Sequence, residues 1–295
     1  MISVFGDESS DETHERVFSL SGLIGNQAEW AEADQLWARA TGAEEFHAAD
    51  WEHAKRFDDY KAATQALIAS HLAGISMSVD LAAYRSAIPD QLVDVGYYIC
   101  FTKLVSGITR EWHRWNERVT ADPQCGDPVV SQVRFTFDHR KESASNAGRV
   151  YAAIKGIDPP ARTKLLGTDV SFDSRKNPRI QMADLVAREA MKDLDRRVGP
   201  KQYAKRKSMI ALQEGDRFKF VEFGRDYFEQ LVEYVAEVDR SEDYQRRYSQ
   251  WLTHTGRVQN GHPHDTWPNR VAFLVSMSHA GHSVAAGPNS GANRR

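Results

Sequence analysis

An α/β fold built on a mixed sheet is what this sequence predicts, and three observations carry the prediction. Five short stretches have the alternation or the β-branched and aromatic bulk of strands. Amphipathic stretches with helical spacing separate the last three of them. Two of the strands end on an aspartate.

The first strand is Ile2-Ser3-Val4-Phe5-Gly6-Asp7-Glu8-Ser9, which runs straight into two carboxylates. With Ile2, Val4 and Gly6 on one side and Ser3, Phe5 and Asp7 on the other, Asp7 emerges at the carboxyl end of a buried strand. That is where α/β sheets open onto a ligand crevice. Alone, the run Asp-Glu-Ser-Ser-Asp-Glu has the composition of a solvated turn, so only other carboxylates meeting the same point make it a site. Residues 16–25 supply a hairpin partner rich in Val, Phe, Leu and Ile, with 9–15 as an acidic connection. A helix follows over 28–40, with Trp30, Ala33, Leu36 and Trp37 near helical spacing and Gly42 as terminator. Residues 45–50 form a linker to a second helix over 58–72, with Tyr60, Ala63, Leu67 and Ile68 on its core face and Gly74 closing it.

The third strand spans 75–82, with Ile75, Met77 and Val79 inward. Pro89 starts a long helix to about Val119, apolar over much of its circumference, which the Pro and Gly of 122–128 break. The fourth strand, 131–138, places Val133, Phe135 and Phe137 opposite Arg134, Thr136 and Asp138. A helix over 143–156, capped by Ser143 or Ser145 and stopped by Asp158-Pro159-Pro160, leads to a fifth strand at 168–172. Pro178 then starts a helix to about Arg197. Setting aside two helices inserted after strand two, the order is β-β-β-α-β-α-β-α. This is the order of the ribonuclease H-like fold, a mixed sheet with helices on its faces. The expected organisation is a core domain over 1–200 with an insertion at about 28–73, a helical extension over 201–253, and a tail of uncertain order over 254–295.

Composition bounds the function. A chain of 295 residues with 41% apolar and 27% charged residues buries one substantial core or two modest ones. No window approaches the ~18 apolar residues of a membrane span, and the sequence turns acidic at Asp7 before a signal-peptide apolar region can form. Cys100 and Cys125 are the only cysteines, too few for a disulfide framework, which fits a cytoplasmic protein. The formal net charge of −3 supplies no global field for nucleic acid, so polyanion binding needs a local patch. Oligomeric state is not legible.

The third carboxylate is Asp184. Ile180, Ala183, Ala187 and Arg188 surround it on a stripe that should press against the sheet, where an unpaired carboxylate costs at least ~1–3 kcal/mol. The bland resolution is a partner such as Arg188 or a backbone donor. The functional one is a divalent cation shared with Asp7 and Asp138, which this topology brings to the ends of neighbouring strands. Three converging carboxylates repel one another unless cations neutralise them, and Mg²⁺ or Mn²⁺ suits an all-oxygen set. Two such ions about 3.5–4 Å apart can activate a water and stabilise a leaving oxygen. Strand alternation turns Glu8 away from Asp7, leaving it as a conditional ligand.

Asp7-Glu8-Ser9, Asp138 with Arg140 after an aromatic strand, and Gln181-Met182-Ala183-Asp184-Leu185-Val186-Ala187 together resemble the bacterial and phage family catalogued as domain of unknown function 3800. The resemblance covers roughly 1–197, and Glu45-Phe46-His47 is similar to a short element of some members. It departs at Ser10, where the family pattern often has glycine. The resemblance implies a ribonuclease H-like fold and an acid triad, without a substrate. A ribonuclease H site usually takes a glutamate from the helix after strand three; here Asp90, Asp94 and Glu111 lack a distinguishing neighbourhood, so Glu8 or Glu45 is the substitute. His47 is an ordinary loop histidine or a proton shuttle. Its spacing to Asp50 and His53 makes only an incomplete zinc set.

Arg196, Arg197, Lys201, Lys205, Arg206 and Lys207 follow the helix that bears Asp184, and Arg140 and Lys141 follow Asp138. Each set is either a solvated face or a contact for phosphates flanking the acids. The leading expectation is a metal-dependent nuclease or phosphodiesterase. The alternatives are a non-catalytic member that binds nucleic acid or protein in a mobile-element or phage-defence system, and a carboxylate-pair hydrolase such as a glycosidase.

Overall fold

The computed structural model describes residues 1–88, 95–122, 128–139, 141–157, 160–238, 242–254, 258–259 and 262–263. Strand β1 (Ile2–Ser10) and β2 (Val17–Gly25) pair antiparallel from Ser3 and Gly25 to Ser10 and Phe18. Asp11 shapes their turn: its carboxylate accepts the N–H groups of Arg16 at 2.8 Å and Val17 at 2.9 Å and the Thr13 hydroxyl at 2.5 Å. Burial opposes its charge, and these bonds still hold its carboxyl down at about 2. The acidic connection is thus a built turn.

Helix α1 (Gln27–Thr41) is capped by Asn26, whose side chain accepts from Ala28 and Glu29 while Glu29 accepts from the Asn26 N–H. It stops at Gly42, where a φ of 63° favours glycine as expected. Helix α2 (Ala48–His53) occupies part of the expected 45–50 linker, and α3 (Phe57–Ala69) follows. Ser70, not Gly74, ends α3. Gly74 lies inside β3 (Ala73–Asp80), where a Cβ would come within 2.6 Å of the Phe218 ring. The long helix is preceded by a short one, α4 (Leu81–Ala87), and spans α5 (Val95–Ala121); Pro89 falls outside the described residues. Next come β4 (Val133–Asp138), α6 (Lys141–Ile157), a single turn α7 (Pro160–Thr163) and β5 (Ser171–Asp173). The side chains of Ser143 and Ser145 lie outside the described residues. Helix α8 (Pro178–Val198) starts with Asn177 as cap and Pro178 in its first turn.

The extension differs from its expected form. After α9 (Lys207–Glu214) comes a strand, β6 (Phe218–Phe223), and only then the amphipathic helices α10 (Arg225–Val238) and α11 (Glu242–His254). Since β6 pairs parallel with β3, the stretch past residue 200 completes the main sheet. Of the expected tail, His254 closes α11, and beyond it only the two-residue strands β7 (Val258–Gln259) and β8 (His262–Pro263) are described.

The main sheet has the order β5-β4-β1-β2-β3-β6. β2 is antiparallel to β1 and β3, whereas β4 runs parallel to β1 and to β5. One face packs on α5 and α6 through Val4, Leu20, Met77, Val79, Phe135 and Phe137. The other receives α8, whose residues 180–191 are all buried. A helix buried all round needs cover on both sides. The inserted helices give it: Trp30, Trp37, Phe46, Trp51 and Tyr60 pack over Met182, Ala183, Leu185 and Val186. Among the described residues no helix is long and apolar enough to cross a membrane.

Candidate metal centre

Asp7 and Asp138 come together because β1 and β4 run parallel with Gly6 opposite Phe137, so the next residues in register are the two aspartates. Gly6 is required by this approach. A Cβ there would lie 2.5 Å from the Phe137 ring and 2.8 Å from the Ser21 carbonyl oxygen. Alternation puts both carboxylates on the α8 face, with Phe5 and Thr136. β1 runs three residues past Asp7, to Ser10, so Asp7 stands where the parallel pairing ends and not at the strand's own terminus.

Asp184, two turns into α8, reaches the same place. Burial pushes the Asp7 carboxyl well above its ordinary range, and the charges of Asp184, Glu8 and Asp138 push it further. The Glu8 N–H, 2.7 Å from Asp7 Oδ1, offsets part of this. Asp184 is also raised, first by burial and then by Asp138. His47, the Ala48 N–H and Arg188 pull the other way. Asp7 and Asp184 are 7% and 6% exposed, whereas Asp138 and His47 are half-buried, so the cluster meets solvent on the side of these two.

Asp184 has one structural bond: Oδ2 accepts the Ala48 N–H at 2.7 Å, at the start of α2. Arg188 acts on it through charge and makes its ion pair with Glu52 instead, at 3.0 Å. Three residues before Asp184, Gln181 Oε1 accepts the Phe46 N–H at 3.2 Å and the Trp37 indole N–H at 3.3 Å. Its amide nitrogen donates to the carbonyls of Arg175 and Lys176. Thus Gln181 and Asp184 grip the Phe46-His47-Ala48 segment from one face of α8, and the two motifs form one unit.

Glu8 is buried on the opposite face, paired with Leu20, so it acts on Asp7 through charge and does not share its side of the sheet. His47 lies next to Asp184, with Nδ1 2.9 Å from Asp50 Oδ2. Glu45 is drawn outward to Arg175 at 3.3 Å. A carboxylate that the sequence reading passes over is Asp173, opposite Asp138 in the β4–β5 register. The signal was available, since Gly6-Asp7, Phe137-Asp138 and Phe172-Asp173 are three strand segments running into an aspartate. Asp173 is exposed and accepts from the Ser174 N–H and the Asn177 amide.

The basic run is mostly committed inside the protein. Arg196 and Arg197 bond Asp193, Arg197 also bonds Glu222, and Lys205 bonds Gln213. Arg206 lies 3.2 Å from Glu52 and 3.0 Å from Glu189, and Tyr60 and Ser208 bond Glu189 as well. Of the expected phosphate-tracking patch, Lys201, Lys205 and Lys207 make no ion pair among the described residues, while neighbouring acids on α8, α2 and β6 pair with the arginines. Arg140 and the Lys141 side chain lie outside the described residues.

The donor chemistry fits a hard cation. Asp7, Asp138 and Asp184 offer only oxygen, two of the three are buried, and their mutual repulsion is what a divalent ion would relieve. Ser21 lies opposite Asp7, with Ser76 next to it across β3. Both hydroxyls are buried without a hydrogen-bond partner among the described residues, so polar capacity is left over beside the acids. As the side chains stand, no group of three or more His, Cys, Asp or Glu among the described residues is set to hold a metal ion. No protein-family model matches the chain, and neither curated proteins nor solved structures yield a match.

Proposed function

We propose that this chain is a metal-dependent nuclease or phosphodiesterase with a ribonuclease H-like core, acting on nucleic acid with Mg²⁺ or Mn²⁺. The observation that carries the reading is the convergence of Asp7, Asp138 and Asp184 from two adjacent parallel strands and the buried helix above them. The strand order, with antiparallel β2 beside β1 and parallel β4 on its other side, is compatible with that fold and adds β6 at one edge.

Asp7, Asp138 and Asp184 would hold the ions. Such ions supply Lewis-acid polarisation of a phosphate and activation of a water. The protein's own part is to keep the acids in place: the Ala48 N–H fixes Asp184, the Glu8 N–H fixes Asp7, and the strand register fixes Asp138 against Asp7. His47, at the solvent side of Asp184, is positioned to take or give a proton.

A second reading is favoured by the bonds already made to Asp7 and Asp184. In it the acids are structural, and the chain binds nucleic acid or a protein without cutting. Purified protein with Mn²⁺ or Mg²⁺, assayed on RNA, DNA and hybrid duplexes, separates the two. Cleavage that Asp184→Asn abolishes without lowering thermal stability supports the nuclease. No cleavage on any substrate, no metal uptake by calorimetry and a more stable Asp184→Asn protein favour the structural reading. Full activity in chelator would point to a carboxylate-pair hydrolase.

A further inference from the structure

Further along α8, a cavity of about 1080 Å³ opens between α3, the C-terminal half of α8, the β1–β2 turn and the start of α9. It is large enough for a small-molecule ligand. Its charged lining divides in two. Arg16 is held by Asp11 and Asp195, and Arg206 by Glu52 and Glu189, so both guanidinium groups are taken up within the protein. Lys61, Lys192, Lys201 and Lys207 have no ion pair among the described residues, and only Glu12 and Asp58 are left as unpaired carboxylates in the lining. Among the unpaired charges of the lining, ammonium groups therefore outnumber carboxylates four to two.

The lysines concentrate where α9 begins. Lys207 and Ser208 form its first turn, and Arg206 at the cap position makes no side-chain bond to the turn's N–H groups. Lys192 faces the same space from α8. Its ammonium is pushed below its usual range by burial and then by Arg188, with the carboxylates of Glu52 and Asp195 pulling the other way. Aromatic rings complete the wall. Phe57 and Tyr203 stand 64% and 39% exposed at the cavity, leaving ring faces that a flat partner can cover. The Tyr203 hydroxyl donates to the Lys192 carbonyl at 3.1 Å, which fixes one ring beside one lysine.

Uncommitted ammonium groups together with exposed aromatic rings match a ligand that joins phosphate to a flat base. We propose that this cavity binds a nucleotide, with its phosphate among Lys192, Lys201 and Lys207 and its base against Phe57 and Tyr203. The proposal stands whether or not the carboxylate cluster cuts. Lys192 is eight positions beyond Asp184, about 12 Å along the helix axis. The nucleotide is therefore either free or the end of a strand whose body passes the acids.

The test uses the full chain in excess chelator, so that failure of the metal reading leaves it untouched. Calorimetric titrations compare 5′-mononucleotides, inorganic phosphate and a 5′-phosphorylated single-stranded tetranucleotide. Mononucleotide binding at least about tenfold tighter than phosphate, weakened about tenfold or more by the exposed pair Lys201→Glu and Lys207→Glu, is the expected result. Tyr203→Ala should weaken binding severalfold while Tyr203→Phe, which keeps the ring, binds as the parent. Lys219→Glu, a charge change on β6 outside the cavity, leaves affinity unchanged. Binding of the tetranucleotide alone, with the same dependence on Lys201 and Lys207, assigns the site to a strand end. No binding of either, phosphate binding as tightly as nucleotide, or affinity indifferent to the double charge reversal overturns the proposal.

Discussion

The two faces of the sheet are built from the same strands and have opposite characters. Towards α5 and α6, β1, β2, β3 and β4 present Val4, Leu20, Met77, Val79, Phe135 and Phe137. Towards α8 the central positions are Asp7, Ser19, Ser21, Ser76 and Ser78, all buried. Large apolar side chains fill the first face, and it holds the fold through area removed from water. At its centre the second is lined by serine hydroxyls and Asp7, so α8 rests there on a polar floor. A buried polar floor lowers stability unless its groups are partnered, so the α8 face gives up apolar burial at its centre for the groups that carry the candidate chemistry.

That contrast can be broken most forcefully from the apolar side. Phe137→Ala removes a fully buried ring packed on Phe101 and over Gly6, and urea unfolding should show a loss of about 3–5 kcal/mol. On the polar side, Glu189→Ala strips the partner from Arg206, Tyr60 and Ser208, and a loss of about 3 kcal/mol is expected by the same measurement.

Asp7→Asn should act in the opposite direction. The folded carboxyl binds its proton more tightly than the unfolded chain, whose value lies near 3.8, so its contribution falls as pH rises above that point. Metal-free Asp7→Asn protein should therefore melt higher than the parent at neutral pH, by roughly 2–4 °C per kcal/mol relieved for a chain of this size, with the gap closing towards pH 4. A variant that melts lower at neutral pH would show that Asp7 is well compensated as a charge. Added Mn²⁺ should raise the parent's melting temperature and leave that of Asp7→Asn unchanged. The smallest effect is at Ser21→Ala, which removes a buried hydroxyl with no partner among the described residues. Stability should stay within about 1 kcal/mol, and a larger loss would reveal a bond that the hydroxyl makes.

Much of the site was legible because alternation is a local property. Whether Asp7 shares a side with Phe5 or with Val4 follows from strand geometry, and the same rule demoted Glu8. Asp173 was equally legible from its aromatic-Asp ending, though its carboxylate is taken by Ser174 and Asn177. The strand β6 was legible too: Phe218-Lys219-Phe220-Val221-Glu222-Phe223 is a β-forming run between Gly215 and Gly224, which a helical reading of 201–253 passes over.

The pairings of the arginines were not legible. Arg196 and Arg197 look like a phosphate clamp in sequence, and Asp193, one turn earlier on α8, already holds both. Arg206 is spent on Glu52, a residue far away in the chain. A run of charge reports only how many charges there are. Which of them face solvent depends on acids delivered by other elements.

By itself, then, the sequence determined the strand faces, the Gly42 stop and the Pro178 start of α8, since each is set by backbone geometry over a few residues. It also determined that Asp7, Asp138 and Asp184 would share one side of the sheet if the strands took this order. Only the tertiary structure decided that α8 is buried on both sides and that Gln181 and Asp184 grip the Phe46-His47-Ala48 segment. It alone left Lys192, Lys201 and Lys207 unpaired around a cavity while their arginine neighbours were neutralised. The physical reason is range: a side chain's direction is fixed by its own backbone, but its burial and its ionic partners are fixed by whatever the rest of the chain packs against it.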